Sequence, residues 1–327
     1  MNETLTAKDF TTDQEVRWCP GCGDYAILKA MRSVLAEIGR APHEVALISG
    51  IGCAARFPYY VSTYGFHTIH GRAPAVATGV KLANPELDVW VIGGDGDFLS
   101  IGGNHLVHAL RRNVDLNLLL LNNAIYGLTK GQYSPTSGIG TRSPSTPGGS
   151  VDNPMNAALL ALGSGARFVA RSADTILDHL PQMLKRAHAH QGASLVEIFQ
   201  NCIVYNDGVW GGLADKKTTA DNAVRAQHGE PLLFGHDSEK GLVFEGQSGT
   251  LSITDDPSKA TVHDETNWAL ATALAKTDGN GLPVVLGVLY CEPADSYSSA
   301  LEAQHPYQAL NGEEFRAICL DGRSWTV

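Results

Sequence analysis

The chain has 327 residues, enough for one large domain with an extension or for two domains. Its 43% hydrophobic and 18% charged residues exclude a disordered chain. With 24 basic and 34 acidic residues the net charge is −10, which excludes an electrostatic footprint for nucleic acid and disfavours anionic membranes. The stretch from Met1 to Arg17 is polar, without the apolar core of a signal peptide. The longest apolar runs, such as Leu116–Leu121, are strand-sized, far from the ~20 residues that span a bilayer. A cytoplasmic protein is expected, and in that reducing compartment six cysteines are thiols or metal ligands rather than a disulfide framework.

In chain order, Asp24–Gly39 reads as a helix and Val45–Ser49 as a buried strand ending in Gly50-Ile51-Gly52-Cys53. Ala73–Leu82 reads as a helix stopped by Asn84-Pro85, Val89–Ile92 as a strand, Ile101–Arg112 as a helix and Leu116–Leu121 as a nearly all-apolar strand. A Gly/Ser/Pro-rich loop follows at Tyr133–Ser150. Beyond it come a helix near Pro154–Leu162, a strand near Arg167–Ala170, a helix at Ala173–His190 and the strand Leu195–Phe199. Strands alternating with helices imply an α/β fold, a mostly parallel sheet with helices on both faces. Central parallel strands are buried on both sides, as the run 116–121 requires. Ligands in such sheets gather at the carboxyl ends of the strands. From about Asp207 Gly and polar residues dominate, with a helix expected at Glu265–Lys276 and an apolar run at Leu282–Tyr290. The expected division is residues 1–206 as a cofactor-binding domain and 207–327 as a C-terminal extension that covers the site or contacts a partner.

Gly93-Gly94-Asp95-Gly96-Asp97 follows one strand directly and Asn122-Asn123 follows the next, with one helix expected between them. Such a βαβ unit brings both strand ends to one rim. Carboxylate and amide oxygens meeting there are hard ligands suited to Mg²⁺, and the glycines let backbone N–H groups approach phosphate. Either half alone is an ordinary turn. Together, in this order, they resemble the thiamine-diphosphate signature, which implies Asp95, Asn123 and the carbonyl of Ile125 as Mg²⁺ ligands.

Cys19-Pro20-Gly21-Cys22 precedes the first helix, while Cys53 and Cys202 each follow a strand. In a parallel sheet all four reach the same rim as the magnesium site. Four such thiolates suit a 4Fe–4S cluster or a structural zinc ion, and spacing alone does not separate the two. Next to thiamine a cluster has an electron-transfer role, which favours it. Cys291 and Cys319 read as non-ligands. The pairs His105/His108 and His188/His190 lack the spacing of a helical zinc pair and read as surface or packing residues.

Several stretches together resemble the beta subunit of 2-oxoacid:ferredoxin oxidoreductases. They are Trp18-Cys19-Pro20-Gly21-Cys22-Gly23-Asp24, Gly50-Ile51-Gly52-Cys53, Ile69-His70-Gly71-Arg72, the Gly-Asp-Gly loop, the Asn pair and Gly127-Leu128-Thr129-Lys130-Gly131-Gln132. They cover about residues 17–205 in the family's order. The resemblance implies a thiamine-diphosphate-binding fold, with cofactor contacts at Gly52, Cys53, His70, Gly94, Asp95, Gly96, Asp97, Asn123, Ile125, Gly127, Leu128 and Thr129. It also implies a separate alpha subunit that completes the thiamine site, a dimer of alpha–beta units, and ferredoxin, coenzyme A and a 2-oxoacid as reaction partners. Lys130, in Thr-Lys-Gly-Gln, is similar to the form of enzymes accepting 2-oxoglutarate, whose distal carboxylate an ammonium can pair. His70 and Arg72 are candidate contacts to the substrate's 1-carboxylate or the cofactor. The implied reaction is decarboxylation on thiamine, one-electron transfer through the cluster to ferredoxin, and acyl transfer to coenzyme A. Three other readings stay open: a pyruvate or broad 2-oxoacid enzyme, a non-redox thiamine decarboxylase or synthase subunit with a structural zinc, and a cluster-binding docking or assembly subunit without thiamine.

Overall fold

The computed structural model describes residues 5–214, 216–277, 281–304 and 310–321. Its main sheet is built from β1 (Val45–Ser49), β2 (Tyr64–His67), β3 (Asp88–Gly94), β4 (Asn117–Asn122), β5 (Phe168–Ala173), β6 (Ser194–Phe199), β7 (Ala223–Ala226) and, much later in the chain, β11 (Val284–Cys291). The intervening strands β8 (Leu233–Phe234), β9 (Lys240–Glu245) and β10 (Thr250–Thr254) form a separate antiparallel sheet. Eight strands run in the order β2-β1-β3-β4-β6-β5-β11-β7. Every neighbouring pair is parallel except β11 with β5. This is the α/β architecture expected from the alternating apolar runs.

The strands alternate their apolar side chains between two cores. Leu119 and Leu121 face helices Asp24–Ile38 and Leu180–Ala189. Leu118 and Leu120 face helices Ala73–Ala83, Gly103–Arg111, Ala157–Gly163 and Trp268–Ala275. That double burial is why β4 reads as continuous hydrophobic sequence. Helix Asp24–Ile38 buries Ile27, Leu28, Met31, Val34 and Leu35, the three- and four-residue spacing of one helical face. Truncating a leucine in either core costs about 2–5 kcal/mol. Among the described residues no helix is long and apolar enough to cross a membrane.

Several expectations need correction. The helix expected at Ala173–His190 starts only at Leu180, because Phe168–Ala173 pairs with β6 and Pro181 lies in the first helical turn. The acidic segment is no simple loop: Asp95–Leu99 forms a short helix and Gly103–Arg111 a second one before β4. Strand β2 carried no sequence signal, since all four of its residues are exposed at the sheet edge. Residues beyond 207 do more than cover a surface, for β7 and β11 complete the main sheet. The expected helix Glu265–Lys276 is shorter, Trp268–Ala275, capped by the Asn267 side chain.

Candidate functional site

Parallel pairing brings the carboxyl ends of β1, β3, β4 and β6 level. Gly94 lies opposite Leu121, Asn122 opposite Phe199, and Ser49 opposite Ile92. The residues just past these ends therefore meet. They surround a cavity of about 310 Å³ lined by Asp24, Ile51–Ala54, His70, Gly94–Asp97, Leu121, Asn123, Ile125–Thr129 and Gln200. Every cofactor contact expected from sequence lies on this wall. Of the residues assigned to substrate, His70 lines it and the other two do not. Arg72 is exposed and its guanidinium meets His105 instead. Lys130 is exposed on the loop just beyond Thr129, with a left-handed backbone (φ 76°) that glycine tolerates best.

Asp95 opens the short helix after β3 and is buried. Its Oδ2 accepts hydrogen bonds from Ser134 Oγ and Thr136 Oγ1, both at 2.5 Å. Burial pushes its carboxyl up to about 6, against the pull of the two hydroxyls and of the Gly96 backbone. Gly96 is required by close approach, since a Cβ there would stand 2.3 Å from the Tyr126 ring, whose hydroxyl donates to the Gly96 carbonyl at 2.8 Å. Asp97 Oδ1 accepts from the Gly71 N–H at 2.7 Å and pairs with His70 Nδ1 at 2.8 Å. Its Oδ2 is buried without a hydrogen-bond partner, and a Cβ at Gly50 would strike it at 1.7 Å.

The two asparagines divide their work. Asn122 points into the sheet: its Nδ2 donates to Glu197 Oε1 at 2.8 Å, and Glu197 Oε2 accepts from Arg171 Nε at 2.8 Å. Asn122 Oδ1 accepts from Thr136 at 2.9 Å and from the Ala124 N–H at 3.2 Å. Asn123 faces the cavity, and its Nδ2 donates to Gln200 Oε1 at 2.8 Å. Ala124 follows with a left-handed backbone (φ 53°), a strained turn held by Asn206 Nδ2 on the Asn123 carbonyl at 2.9 Å and by Trp210 Nε1 on the Asn122 carbonyl at 2.8 Å. A buried carboxylate, an amide oxygen and the Ile125 backbone on one wall form a hard-oxygen donor set that fits Mg²⁺.

Cys53 lies on the same cavity wall. Its carbonyl accepts from Trp18 Nε1 at 2.9 Å, which ties it to the Cys19–Cys22 turn. That turn packs on the segment after β6: a Cβ at Gly21 would stand 2.8 Å from Ile203 Cδ1. Cys202 Sγ would lie 3.2 Å from a Cβ at Gly127, on the cavity loop. Burial pushes the Cys53 thiol up to about 12, with the Asp24, Cys202 and Cys19 charges adding to it. Burial and then the Asp24 charge push the Cys22 thiol up as well. Asp24 itself is raised to about 7 by burial, with Asp174 adding. Thiols so disfavoured as free anions need a cation to become thiolates, as cluster or metal ligation supplies. All four are free cysteines, and among the described residues no three His, Cys, Asp or Glu side chains are gathered into a ready single-ion cage.

Sequence reading missed Ser134, Thr136, Gln200, Asn206 and Trp210. Only the first two had any signal, a run of hydroxyl residues in a loop long enough to return over the site.

Residues 50–198 match the family model of the C-terminal thiamine pyrophosphate-binding domain of thiamine pyrophosphate enzymes. The 2-oxoglutarate oxidoreductase subunit KorB of Mycobacterium tuberculosis is 50% identical over 98% of this chain and 88% of its own length. Subunit beta of 2-oxoacid:ferredoxin oxidoreductase 1 of Aeropyrum pernix is 39% identical over 92% of this chain and 86% of its own. A solved structure of 2-oxoglutarate:ferredoxin oxidoreductase from Magnetococcus marinus, with 2-oxoglutarate, coenzyme A and succinyl-CoA bound, superposes with a TM-score of 0.77. It shares 34% identity over 97% of this chain and 96% of that one. The protein is an oxidoreductase subunit with a thiamine-pyrophosphate-binding domain, and it belongs to the beta-subunit family of 2-oxoglutarate and 2-oxoacid:ferredoxin oxidoreductases.

Proposed function

We propose that this chain is the cofactor-holding half of a coenzyme A-dependent 2-oxoglutarate:ferredoxin oxidoreductase. The reading rests on a single cavity that Asp95, Asn123, Ile125 and Cys53 line together. Asp95, Asn123 and the Ile125 carbonyl are the Mg²⁺ ligands for the cofactor diphosphate, and Cys19, Cys22, Cys53 and Cys202 hold a 4Fe–4S cluster. Thiamine diphosphate, when bound, supplies the nucleophilic carbon and electron sink for 2-oxoacid decarboxylation, and the cluster accepts electrons singly.

The chain's own residues position and select. Ser134 and Thr136 aim the Asp95 carboxylate. Asp97 fixes the His70 ring through Nδ1, which leaves the other ring nitrogen of this cavity-lining side chain for substrate or cofactor. Lys130, exposed on the loop next to the cavity-lining Thr129, pairs the distal carboxylate of 2-oxoglutarate, the acid bound in the Magnetococcus marinus structure. Arg72, turned to His105, is the weaker candidate of the three.

In this reading residues 1–206 carry the cofactor ligands. Residues 207–327 brace the site through Trp210 and offer surface to a partner. An alpha subunit completes the thiamine site, two alpha–beta units associate, ferredoxin takes the electrons, and the complex works in the reducing cytoplasm.

The test is anaerobic co-expression with the alpha subunit, then ferredoxin or viologen reduction with a panel of 2-oxoacids and coenzyme A. Reduction with 2-oxoglutarate well above pyruvate is expected. Preference for pyruvate would overturn the substrate. Decarboxylation by a colourless, iron-free complex would favour the non-redox, zinc-holding alternative.

A further inference from the structure

Gln200 is the first residue past β6 and is buried, 1% exposed. Its N–H donates to the Asn122 carbonyl at 2.9 Å, continuing the ladder by one step beyond the strand and holding Gln200 beside Asn123. The side-chain amide then joins two parts of the site. Oε1 accepts from Asn123 Nδ2 at 2.8 Å. Nε2 donates to Cys22 Sγ at 3.2 Å and to the Asn201 carbonyl at 2.9 Å. A flipped amide would set NH₂ against NH₂ at Asn123 and oxygen against oxygen at Asn201, so the orientation is determined by its partners. The side chain is also packed in place, since a Cβ on Gly23 would lie 3.1 Å from Gln200 Cγ.

We infer that Gln200 is a positioning residue shared by both centres: it holds the Asn123 amide oxygen for the cation and donates an N–H to the Cys22 sulfur of the cluster. The first role follows from donor count. With Nδ2 committed to Gln200 and Oδ1 accepting the Ile125 N–H at 3.2 Å, the Asn123 amide cannot flip without setting oxygen against Oε1 and NH₂ against the Ile125 N–H, so its oxygen is fixed with a second lone pair for a cation. Such outer partners set the orientation, and with it the affinity, of a metal ligand. The second role follows from charge. Reduction adds a negative charge to a cluster and its thiolates, and an N–H aimed at sulfur in a desolvated setting stabilises that charge, raising the reduction potential. One side chain thus links seating of the diphosphate to the driving force for electron removal.

The inference rests on Cys22 being a cluster ligand, and the experiment separates the two. The anaerobic alpha–beta holoenzyme is compared with Gln200→Met, Gln200→Glu and Cys22→Ala by iron content, EPR-monitored redox titration and Mg²⁺-dependent thiamine diphosphate affinity. Gln200→Met removes both bonds with little change of shape. It is expected to move the cluster potential in the negative direction and weaken the thiamine cofactor roughly tenfold. Gln200→Glu keeps an acceptor for Asn123 and loses the N–H, so above pH 7 the potential moves negative while cofactor affinity stays within about threefold of wild type. Should one variant not fold, the other alone decides through its potential. Wild-type potentials in the Gln200 variants, with Cys22→Ala having lost its cluster, would overturn the role of Gln200 and leave the ligand assignment intact. A full cluster in Cys22→Ala would overturn the ligand assignment instead, and the inference with it.

Discussion

Thr136 donates its hydroxyl to Asp95 Oδ2 at 2.5 Å from a loop 41 residues away in sequence, and the same oxygen lies 2.9 Å from Asn122 Oδ1. A hydroxyl has a single proton, so it serves one of these acceptors at a time, and Ser134 secures Asp95 when Thr136 turns to Asn122. The loop 133–150 is therefore a clamp on the acidic residue that the cation reading depends on. Thr136→Val keeps the shape and removes the donor. Its expected effect is a loss of Mg²⁺-dependent thiamine diphosphate affinity of about 10-fold, measured by calorimetry on the alpha–beta complex. Unchanged affinity in the Ser134→Ala/Thr136→Val double variant would show that the clamp does not act on the cation.

The pH dependence follows from Asp95. Its folded-state carboxyl is raised by burial to about 6 from the ordinary 3.8. Between those values the folded chain binds a proton that the unfolded chain has released, so stability of the cation-free chain falls as pH rises through this window. The change is on the order of 3 kcal/mol. A cation needs the carboxylate and offsets its burial, so the linkage reverses on binding. Mg²⁺ with thiamine diphosphate should raise the melting temperature strongly near pH 8 and little near pH 5. Asp95→Asn should stabilise the cation-free chain near pH 8 and abolish the response. An equal response at both pH values would contradict the assignment.

Arg171 and Glu197, 0% and 1% exposed, form an ion pair at 2.8 Å beneath the Asn pair. Removing Glu197 takes a buried carboxylate from the Arg171 guanidinium, which keeps Asn156 Oδ1 at 3.3 Å. Glu197→Ala is expected to destabilise the chain by about 3–5 kcal/mol in urea unfolding. It should also loosen Asn122, whose Nδ2 loses its acceptor. A loss below 1 kcal/mol would mean that solvent reaches the pair.

Lys130 keeps a left-handed backbone at a position where glycine would fit without strain. Lys130→Gly should therefore be more stable than Lys130→Ala by about 1 kcal/mol. Both should lose 2-oxoglutarate turnover far more than pyruvate turnover, read from kcat/KM on the two acids. Equal losses on both acids would remove Lys130 from the distal-carboxylate role.

What was legible in the sequence follows from which interactions are local. Asp95 and Asn123 could be read because each directly follows an apolar strand, and parallel pairing fixes where such ends go. Gln200 follows a strand in the same way, yet a lone glutamine carries no signal. Its role appears only when the register sets it beside Asn123 and the Cys19–Cys22 turn folds back onto it. Thr136, Asn206 and Trp210 depend on how long loops return over the rim, which no periodicity encodes. Strand β11 was legible as an apolar run, but its antiparallel place beside β5 was not, because a strand buried on both faces looks alike in either direction.

In the proposed function the cation site and the cysteine turns serve one electron path across a shared rim. The most direct measurement is EPR of the anaerobic alpha–beta complex frozen after adding 2-oxoglutarate and coenzyme A, on wild type, Asp95→Ala and Cys53→Ala. The expected result is a reduced 4Fe–4S signal in wild type, an intact but unreduced cluster with full iron in Asp95→Ala, and a lost or altered cluster in Cys53→Ala. Substrate-driven reduction that persists in Asp95→Ala, or wild-type protein without iron, would rule out a shared electron path.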